Sequence, residues 1–221
     1  MAEEVMRRYR GRVLYGPFAS LDPGDMQALE AETGYPVPVA YRAFLEVAHG
    51  GSLDYSVRVP PGPDGEIIAF SDLYRAGRDD RGEYGFGTLT GEYRQWAKII
   101  GAGRALLPIA HNGGGDTLFL ELDGQSPGRV IAFIHGLPSW TGLTGQDTVA
   151  VVGDSFDAYL DSLFISEDIA EMAWEDAQNI DSSDPWHDAV EAWLNEGLPG
   201  WRERPWALRY AACDRARPTR R

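Results

Sequence analysis

The sequence predicts an α+β fold, with a mostly antiparallel β-sheet flanked by N-terminal and closing helices and a C-terminal helical extension. Two helical patterns come first, short strand-like segments joined by turn residues follow, and helical patterns close the chain. Strands and helices do not alternate as they do in a parallel α/β fold, so an antiparallel sheet is expected.

The first helix is predicted in LDPGDMQALEAETG, where the residues at both ends suit a helix boundary. Asp22 is a good N-cap, Pro23 fits the first helical position, and Gly34 is a natural terminator. The charged segment before it, MAEEVMRRYRGRVLYG, lacks the apolar core of a signal peptide.

The second helix is predicted in PVPVAYRAFLEVAHGG, starting at Pro38. Its apolar residues recur at the spacing of one helix face, at positions 41, 44, 45 and 48. We expect His49 to lie in the last turn, where a cation is favourable, and Gly50 and Gly51 to stop the helix.

The middle of the chain is predicted to form the sheet. YSVRVP and EIIAF flank the turn residues PGPDG and predict a hairpin, whereas SDLYRAG predicts a short helical turn capped by Ser71. Strands are also predicted in RALLPIA, DTLFLELDG, GRVIAFIHG and TVAVV, of which GRVIAFIHG, apolar on both faces, is expected to be central.

Two helices are predicted to accompany these strands. Residues 75–91, rich in charge and glycine, predict a long surface loop, and EYRQWAKII then predicts a helix. DSFDAYLDSLF is amphipathic and closes the main domain, capped by Asp154 or Ser155.

The composition changes after residue 165, which predicts a domain over 13–165 and an extension over 166–221. The extension is acidic and helical and ends in a basic, arginine-rich tail. Apolar residues at helical spacing form one stripe at 169, 172 and 173 and another at 186, 190, 193 and 194. Four of the seven tryptophans lie after residue 185, and we expect them to pack the extension onto the main domain.

The charge of the chain bears on its partners. The formal net charge is −14, which favours basic proteins as partners and disfavours nucleic acid and anionic lipid. Thirteen Asp or Glu and no Lys or Arg lie between residues 154 and 196. This run is either a solvated helix face or a landing site for a basic partner.

The location of the protein is predicted from features that the sequence lacks. No apolar run is long enough to span a membrane, and the single cysteine, Cys213, cannot form an internal disulfide. A cytoplasmic protein is therefore expected.

The segment HNGGGD, residues 111–116, raises the question of an active site. Its glycines precede a strand, with no Lys-Ser/Thr pair and no following helix, so a phosphate loop is not predicted. The four histidines are scattered, so no metal site is predicted, and no Gly-x-Ser-x-Gly elbow is present. A hydrolase or ligand-binding site formed by His111, Asp116 and His135 stays open as an alternative.

The simpler interpretation of this segment is structural. Gly113, Gly114 and Gly115 would allow a sharp turn into the next strand, since glycine readily adopts positive φ. We expect Asp116 to accept hydrogen bonds from backbone amides of the loop, as Asp does in turns.

Four motifs occur in the order that is found in the SUKH superfamily. ALEAETGYPVPVAYRAFLEVAHGG resembles the opening of that group, and LLPIAHNGGGDTLFLELDG resembles its central motif. GRVIAFIHG and DSFDAYLDSL are similar to its next strand and closing helix, so the resemblance covers roughly residues 18 to 165. His49 departs from the pattern, because the family usually has Asn before Gly-Gly.

The resemblance implies a protein-binding domain without enzymatic activity, and no cofactor is expected. The superfamily contains bacterial immunity proteins that block toxins, often nucleases, and the fungal Smi/Knr cell-wall regulators. The resemblance therefore implies an immunity protein for a basic toxin or, alternatively, a regulatory scaffold that binds a cellular protein.

The residues expected to bind this partner are acidic or aromatic side chains in loops. They are Asp79, Asp80, Glu83 and Tyr84 in the long loop, together with Trp140 in GLPSWTG.

Overall fold

The structure is a computed structural model that describes residues 5–60, 66–77, 87–101, 105–124, 126–136, 145–181 and 183–216, with side chains as far as Tyr210. It contains helices and antiparallel sheets, so the predicted α+β fold is confirmed. The strands are β1 (Met6–Tyr9), β2 (Arg12–Tyr15), β3 (Ser56–Val59), β4 (Glu66–Ala69), β5 (Asp72–Leu73), β6 (Leu106–His111), β7 (Thr117–Glu121), β8 (Val130–Ile134) and β9 (Thr148–Gly153).

Five of these strands form an antiparallel sheet in the order β5-β6-β7-β8-β9. Two hairpins, β1-β2 and β3-β4, accompany it. Ser52 connects the first hairpin with the large sheet, because it forms an antiparallel bridge with Tyr15 at the end of β2 and another with Asp72 in β5. The strand GRVIAFIHG is β8, which has β7 and β9 on its two sides.

Seven helices are described: α1 (Pro23–Thr33), α2 (Val39–Val47), α3 (Leu89–Ile100), α4 (Phe156–Ser162), α5 (Glu167–Gln178), α6 (Pro185–Gly197) and α7 (Pro205–Ala216). The predicted caps of α1 are confirmed, since the Asp22 side chain accepts from the amide of Gly24 and Gly34 ends the helix in the left-handed conformation. Ser155 rather than Asp154 caps α4, accepting from the amide of Ala158.

The N-terminal hairpin was not predicted. Its turn is made by Arg10 and Gly11, both with positive φ, which is the geometry of a two-residue hairpin turn. Arginine is unusual at such a turn, so the segment lacked the Asn-Gly or Asp-Gly signature. The predicted domain start at residue 13 falls within β2.

Two sequence predictions about local structure are wrong. SDLYRAG is not helical, because Asp72 and Leu73 pair with His111 and Ala110 of β6. The loop predicted over 75–91 ends earlier, since the Thr88 side chain caps α3 at Leu89; residues 78–86 lie outside the described part of the chain. The basic tail, for which the sequence predicted no secondary structure, begins as part of α7, which extends to Ala216.

His49 does not have the predicted role at the end of α2. The helix ends at Val47 and its C-cap is Ala48, so His49 lies beyond the last turn. Its side chain is buried, and desolvation lowers its pKa, opposed by the nearby Asp25 carboxylate. Burial therefore disfavours the cationic form of His49 that the sequence predicted at the helix end.

The extension packs on the rest of the molecule through its tryptophans. Trp193 of α6 is fully buried and meets the rings of Tyr15 and Tyr55 edge-on, with centroids 6.4 and 6.1 Å apart. Trp201 and Trp206 are also buried and stack on each other. The prediction that tryptophans pack the extension against the main domain is confirmed for Trp186 and Trp193, whereas Trp201 and Trp206 contact residues of the extension itself. The core continues across residue 165.

Candidate functional site

The segment HNGGGD forms the turn between β6 and β7. The Asn112 side-chain oxygen accepts hydrogen bonds from the amides of Gly114 (2.9 Å) and Asp116 (3.0 Å). Only Gly115 of the three glycines has a left-handed φ, of 92°. The expectation that Asp116 accepts hydrogen bonds from amides of its own loop is wrong, because the Asn112 side chain accepts them.

Asp116 instead ties the turn to the neighbouring strand. One carboxylate oxygen accepts from the amide of His135, just past the end of β8, at 2.8 Å, and the other accepts from the Asn112 side chain at 2.7 Å. Both oxygens are therefore engaged in hydrogen bonds that fix the turn.

The two histidines near this turn face other carboxylates. Nδ1 of His111 lies 3.9 Å from Asp72, and its ring stacks on Tyr74. Nδ1 of His135 lies 3.8 Å from Asp147, and its ring packs edge-on against Phe133. The structure thus contains two separate His–Asp pairs, His111 with Asp72 and His135 with Asp147. In the described residues, neither histidine side chain is hydrogen-bonded to Asp116.

A cleft of about 310 Å³ lies between the extension and the β2–β5 junction, and we call it the junction cleft. On the sheet side it is lined by Tyr15, Asp54, Ala69 and Ser71. On the helix side it is lined by Ile169, Met172, Ala173 and Asp176 of α5 and by Trp186, Val190 and Trp193 of α6. The cleft is therefore mainly apolar, with one carboxylate on each side.

The apolar stripe predicted in α5 explains how this cleft arises. Ala170 and Ala177 are the buried residues of the helix, and Ile169 and Ala173 of the stripe are partly buried against the core. Met172, which is 59 % exposed, borders the cleft beside them. Met172 therefore presents apolar surface to solvent at the edge of the cleft.

The carboxyl group of Asp54 is desolvated in the cleft. Desolvation raises its pKa to about 6, a weak hydrogen bond from Ser52 at 3.5 Å opposes the shift, and the Asp72 carboxylate adds to it. Among the described residues, no cation compensates the charge of the Asp54 carboxylate.

Comparison with known protein families decides the relationship of the chain. The model of the SMI1 / KNR4 family (SUKH-1) matches residues 20–162. This chain belongs to the SMI1/KNR4 family. Comparison with curated proteins finds no match, and neither does comparison with solved structures.

The junction cleft is lined both by residues that the SMI1/KNR4 family model matches and by residues on either side of the matched range. Asp54, Ala69 and Ser71 lie within the matched residues, whereas Tyr15 precedes them and α5 and α6 follow them. The cleft thus combines a wall from the family domain with walls that are contributed by the flanking segments of this chain.

The acidic run of the extension is partly neutralised by arginines that follow it. Arg204 lies 2.9 Å from Glu167, Arg209 pairs with Glu171 and Arg202 pairs with Glu191. Asp168 and Asp176 of α5 are exposed and form no ion pair with any residue that the structure describes. Asp168 and Asp176 each lie four residues, about one helical turn, from the cleft-lining Met172, so uncompensated negative charge lies beside the cleft.

The sequence analysis missed a cluster of one histidine and two carboxylates on α6. His187, Asp188 and Glu191 of α6 place their ligand atoms within 4.8 Å of one another. His187 and Glu191 are four residues apart and so share a helix face, which was the available signal. Glu191 already pairs with Arg202, so the arrangement has an explanation within the fold.

The five residues predicted to bind a partner are not tested by the structure. Asp79, Asp80, Glu83, Tyr84 and Trp140 all lie outside the described residues, and they stay predictions. Of the helices in the described part of the chain, none has the length and apolar character needed to cross a membrane.

Proposed function

We propose that this chain is a non-catalytic cytoplasmic immunity protein that binds and neutralises a basic toxin, such as a nuclease. Membership of the SMI1/KNR4 family is consistent with an immunity or regulatory role based on protein binding. The observation that carries the proposal is the uncompensated acidity of α5 beside an open, apolar cleft, a combination that suits a basic protein partner.

The electrostatics favour a protein partner with a positive surface. A net charge of −14 accelerates the encounter with a basic protein, because attraction at long range guides the two molecules together. Carboxylates at the rim of an interface mainly raise the association rate, while aromatic and apolar side chains provide the affinity. The junction cleft offers both kinds of group.

The non-catalytic character of the proposal is supported by the HNGGGD turn. Each carboxylate oxygen of Asp116 accepts a hydrogen bond that fixes the turn, and the donors are the Asn112 side chain and the His135 amide rather than a histidine ring. We therefore assign Asn112 and Asp116 to maintaining the turn.

The proposal is tested by co-expression with the toxin encoded beside this gene. We expect cells that produce the toxin to survive only when this chain is present, and the two proteins to purify together. A control uses Trp193→Ala, which we expect to destabilise the fold and so weaken protection. The immunity function is wrong if the neighbouring gene encodes no toxin and the chain protects against none; recovery of a housekeeping protein instead would favour a regulatory scaffold.

A further inference from the structure

The walls of the junction cleft have a chemical character that restricts what can bind there. Tyr15 and Trp186 contribute aromatic rings whose centroids are 4.6 Å apart, and Val190 and Trp193 add apolar surface. Asp54 and Asp176 contribute carboxylates from opposite sides. No lysine or arginine is found among the described residues that line the cleft.

We propose that the junction cleft receives one long basic side chain, an arginine or a lysine, from the bound partner protein. The inference rests on the proposed function, because it names the group that the partner presents. The apolar stem of the side chain would lie along Met172, Val190 and Trp193, and its cationic head would reach Asp54.

The size of the cleft agrees with such an occupant. A water molecule accounts for roughly 30 Å³ of liquid, so the cleft of 310 Å³ holds about ten water-sized groups. That space accommodates the stem and head of an arginine or lysine. Long basic side chains bury their methylene stems against apolar surface while the charge stays with a polar partner.

The charge of Asp54 favours a cation over other ligands. A desolvated carboxylate is costly unless an opposite charge is nearby, and an anionic or purely apolar ligand would increase that cost. Aromatic rings also attract cations, and guanidinium groups stack on them. Each wall of the cleft therefore favours the same class of ligand.

The described arginines of the extension do not occupy the cleft. Arg202, Arg204 and Arg209 pair with Glu191, Glu167 and Glu171. Four further arginines follow, at positions 215, 217, 220 and 221, and their side chains lie outside the described residues. The chain's own tail is therefore a competing occupant that the experiment has to separate from a partner.

The test titrates the isotope-labelled full chain with N-butylguanidinium, a mimic of the arginine side chain, and follows the indole signals by NMR. We expect saturable shifts for Trp186 and Trp193 at pH 7.5. N-butylurea, which has a similar shape and no charge, should bind roughly tenfold more weakly. This experiment needs no toxin, so its outcome is independent of the co-expression test.

Two variants make the titration specific. Asp54→Asn should weaken N-butylguanidinium binding roughly tenfold, because it removes the charge and keeps the shape. Asp123→Asn is the matched control, since Asp123 is exposed in the turn between β7 and β8, and its binding should equal that of the original chain. Equal binding by Asp54→Asn, or no saturable shift at millimolar concentrations, would overturn the proposal.

The pH dependence provides a further check on Asp54. Its pKa of about 6 means that the carboxyl takes up a proton between pH 7.5 and pH 5, so binding of the cation should weaken over that range. The titratable groups facing Asp54 are Asp72 on β5, Tyr15 on β2 and Tyr55, with Asp176 across the cleft. In the Asp54→Asn variant, binding of N-butylguanidinium should lose most of its pH dependence. If the pH dependence is retained, a group other than Asp54 is responsible for it.

The competing occupant is tested by replacing Arg215, Arg217, Arg220 and Arg221 with glutamine. The proposal predicts that this variant binds N-butylguanidinium as the original chain does. If only the glutamine variant binds, the chain's own tail fills the cleft, and the assignment to a partner side chain is wrong.

Discussion

The amide of His135 donates a 2.8 Å hydrogen bond to the carboxylate of Asp116, and this contact connects the glycine-rich turn with the end of β8. The second oxygen of Asp116 binds the side chain of Asn112, which in turn holds the amides of Gly114 and Asp116. The polar residues of HNGGGD therefore satisfy the backbone of a turn whose segment resembles the central motif of the SUKH superfamily.

Replacement of Asp116 should mainly affect stability. We expect Asp116→Ala to lower the free energy of unfolding by about 1.5–3 kcal/mol, because hydrogen bonds to a charged acceptor are lost. Urea unfolding measures this change, with Asp123→Ala as an exposed control that should lie within about 0.5 kcal/mol of the original chain. Equal stability of the two variants would show that the Asp116 contacts do not support the fold.

Gly51, after α2, should tolerate substitution less well than Gly34, after α1. An added Cβ at Gly51 would lie 2.2 Å from the carbonyl oxygen of Tyr15, whereas at Gly34 it would meet nothing within 4 Å. Both glycines have nearly the same φ, 78° and 76°, so they form a matched pair.

Comparing alanine substitutions at Gly34 and Gly51 separates the cost of a steric clash from the cost of the left-handed backbone conformation. Gly34→Ala should cost about 1–2 kcal/mol, the usual penalty for a left-handed residue. Gly51→Ala should cost more than about 4 kcal/mol, because the clash also disturbs the pairing of Tyr15 with Ser52. Similar losses in the two variants, measured by urea unfolding, would contradict this account.

The extension should unfold together with the main domain. Trp193→Ala removes a fully buried ring that contacts Tyr15 and Tyr55, and we expect a loss of about 3–5 kcal/mol. Met172→Ala is the control on the neighbouring helix, and it should cost far less because Met172 is 59 % exposed. In the original chain, circular dichroism and tryptophan fluorescence should report one transition; two separated transitions would mean that the extension folds independently.

Asp54 should make the protein less stable as the pH rises. Its pKa in the folded chain, about 6, lies above the usual value of 3.8, so the folded state binds more protons between those pH values. Stability contributed by this group is therefore lost as the pH rises through that window.

The Asp54→Asn variant tests this sign. It should be more stable than the original chain by roughly 2 kcal/mol at pH 7.5, and the difference should shrink towards pH 4. Urea unfolding at both pH values measures it, with Asp123→Asn as the control for a general loss of negative charge. A destabilised Asp54→Asn at pH 7.5 would show that the carboxylate has a compensating partner.

Much of the fold could be predicted because apolar spacing and caps agree with each other. The stripe of α2 and the cap of α1 are read from neighbouring residues, and the structure confirms both. The hairpin of β1 and β2 was missed because Arg10 replaces the usual Asn or Asp of its turn. The strand β5 was predicted to be part of a helical turn, because two residues are too few to show the alternation of a strand. Only its pairing with β6 defines it as a strand.

The junction cleft could not be predicted for a different reason. The stripe of Ile169, Met172 and Ala173 was visible, but a pattern alone cannot show whether another element covers it. Asp54 gave no signal at all, because the helices that line the cleft with it, α5 and α6, lie more than a hundred residues away in the sequence. Tertiary packing, rather than local sequence, creates this site.

The central claim, that an acidic surface directs this protein to a basic toxin, is tested most directly by the association rate with that toxin. Between about 0.05 and 0.5 M NaCl, we expect the rate constant to fall at least roughly tenfold, because salt screens the attraction. Asp168→Asn with Asp176→Asn should lower the rate at low salt more than Glu66→Gln with Asp123→Asn, which removes the same charge elsewhere. A rate that is independent of salt, or equal losses in the two double variants, would contradict the account.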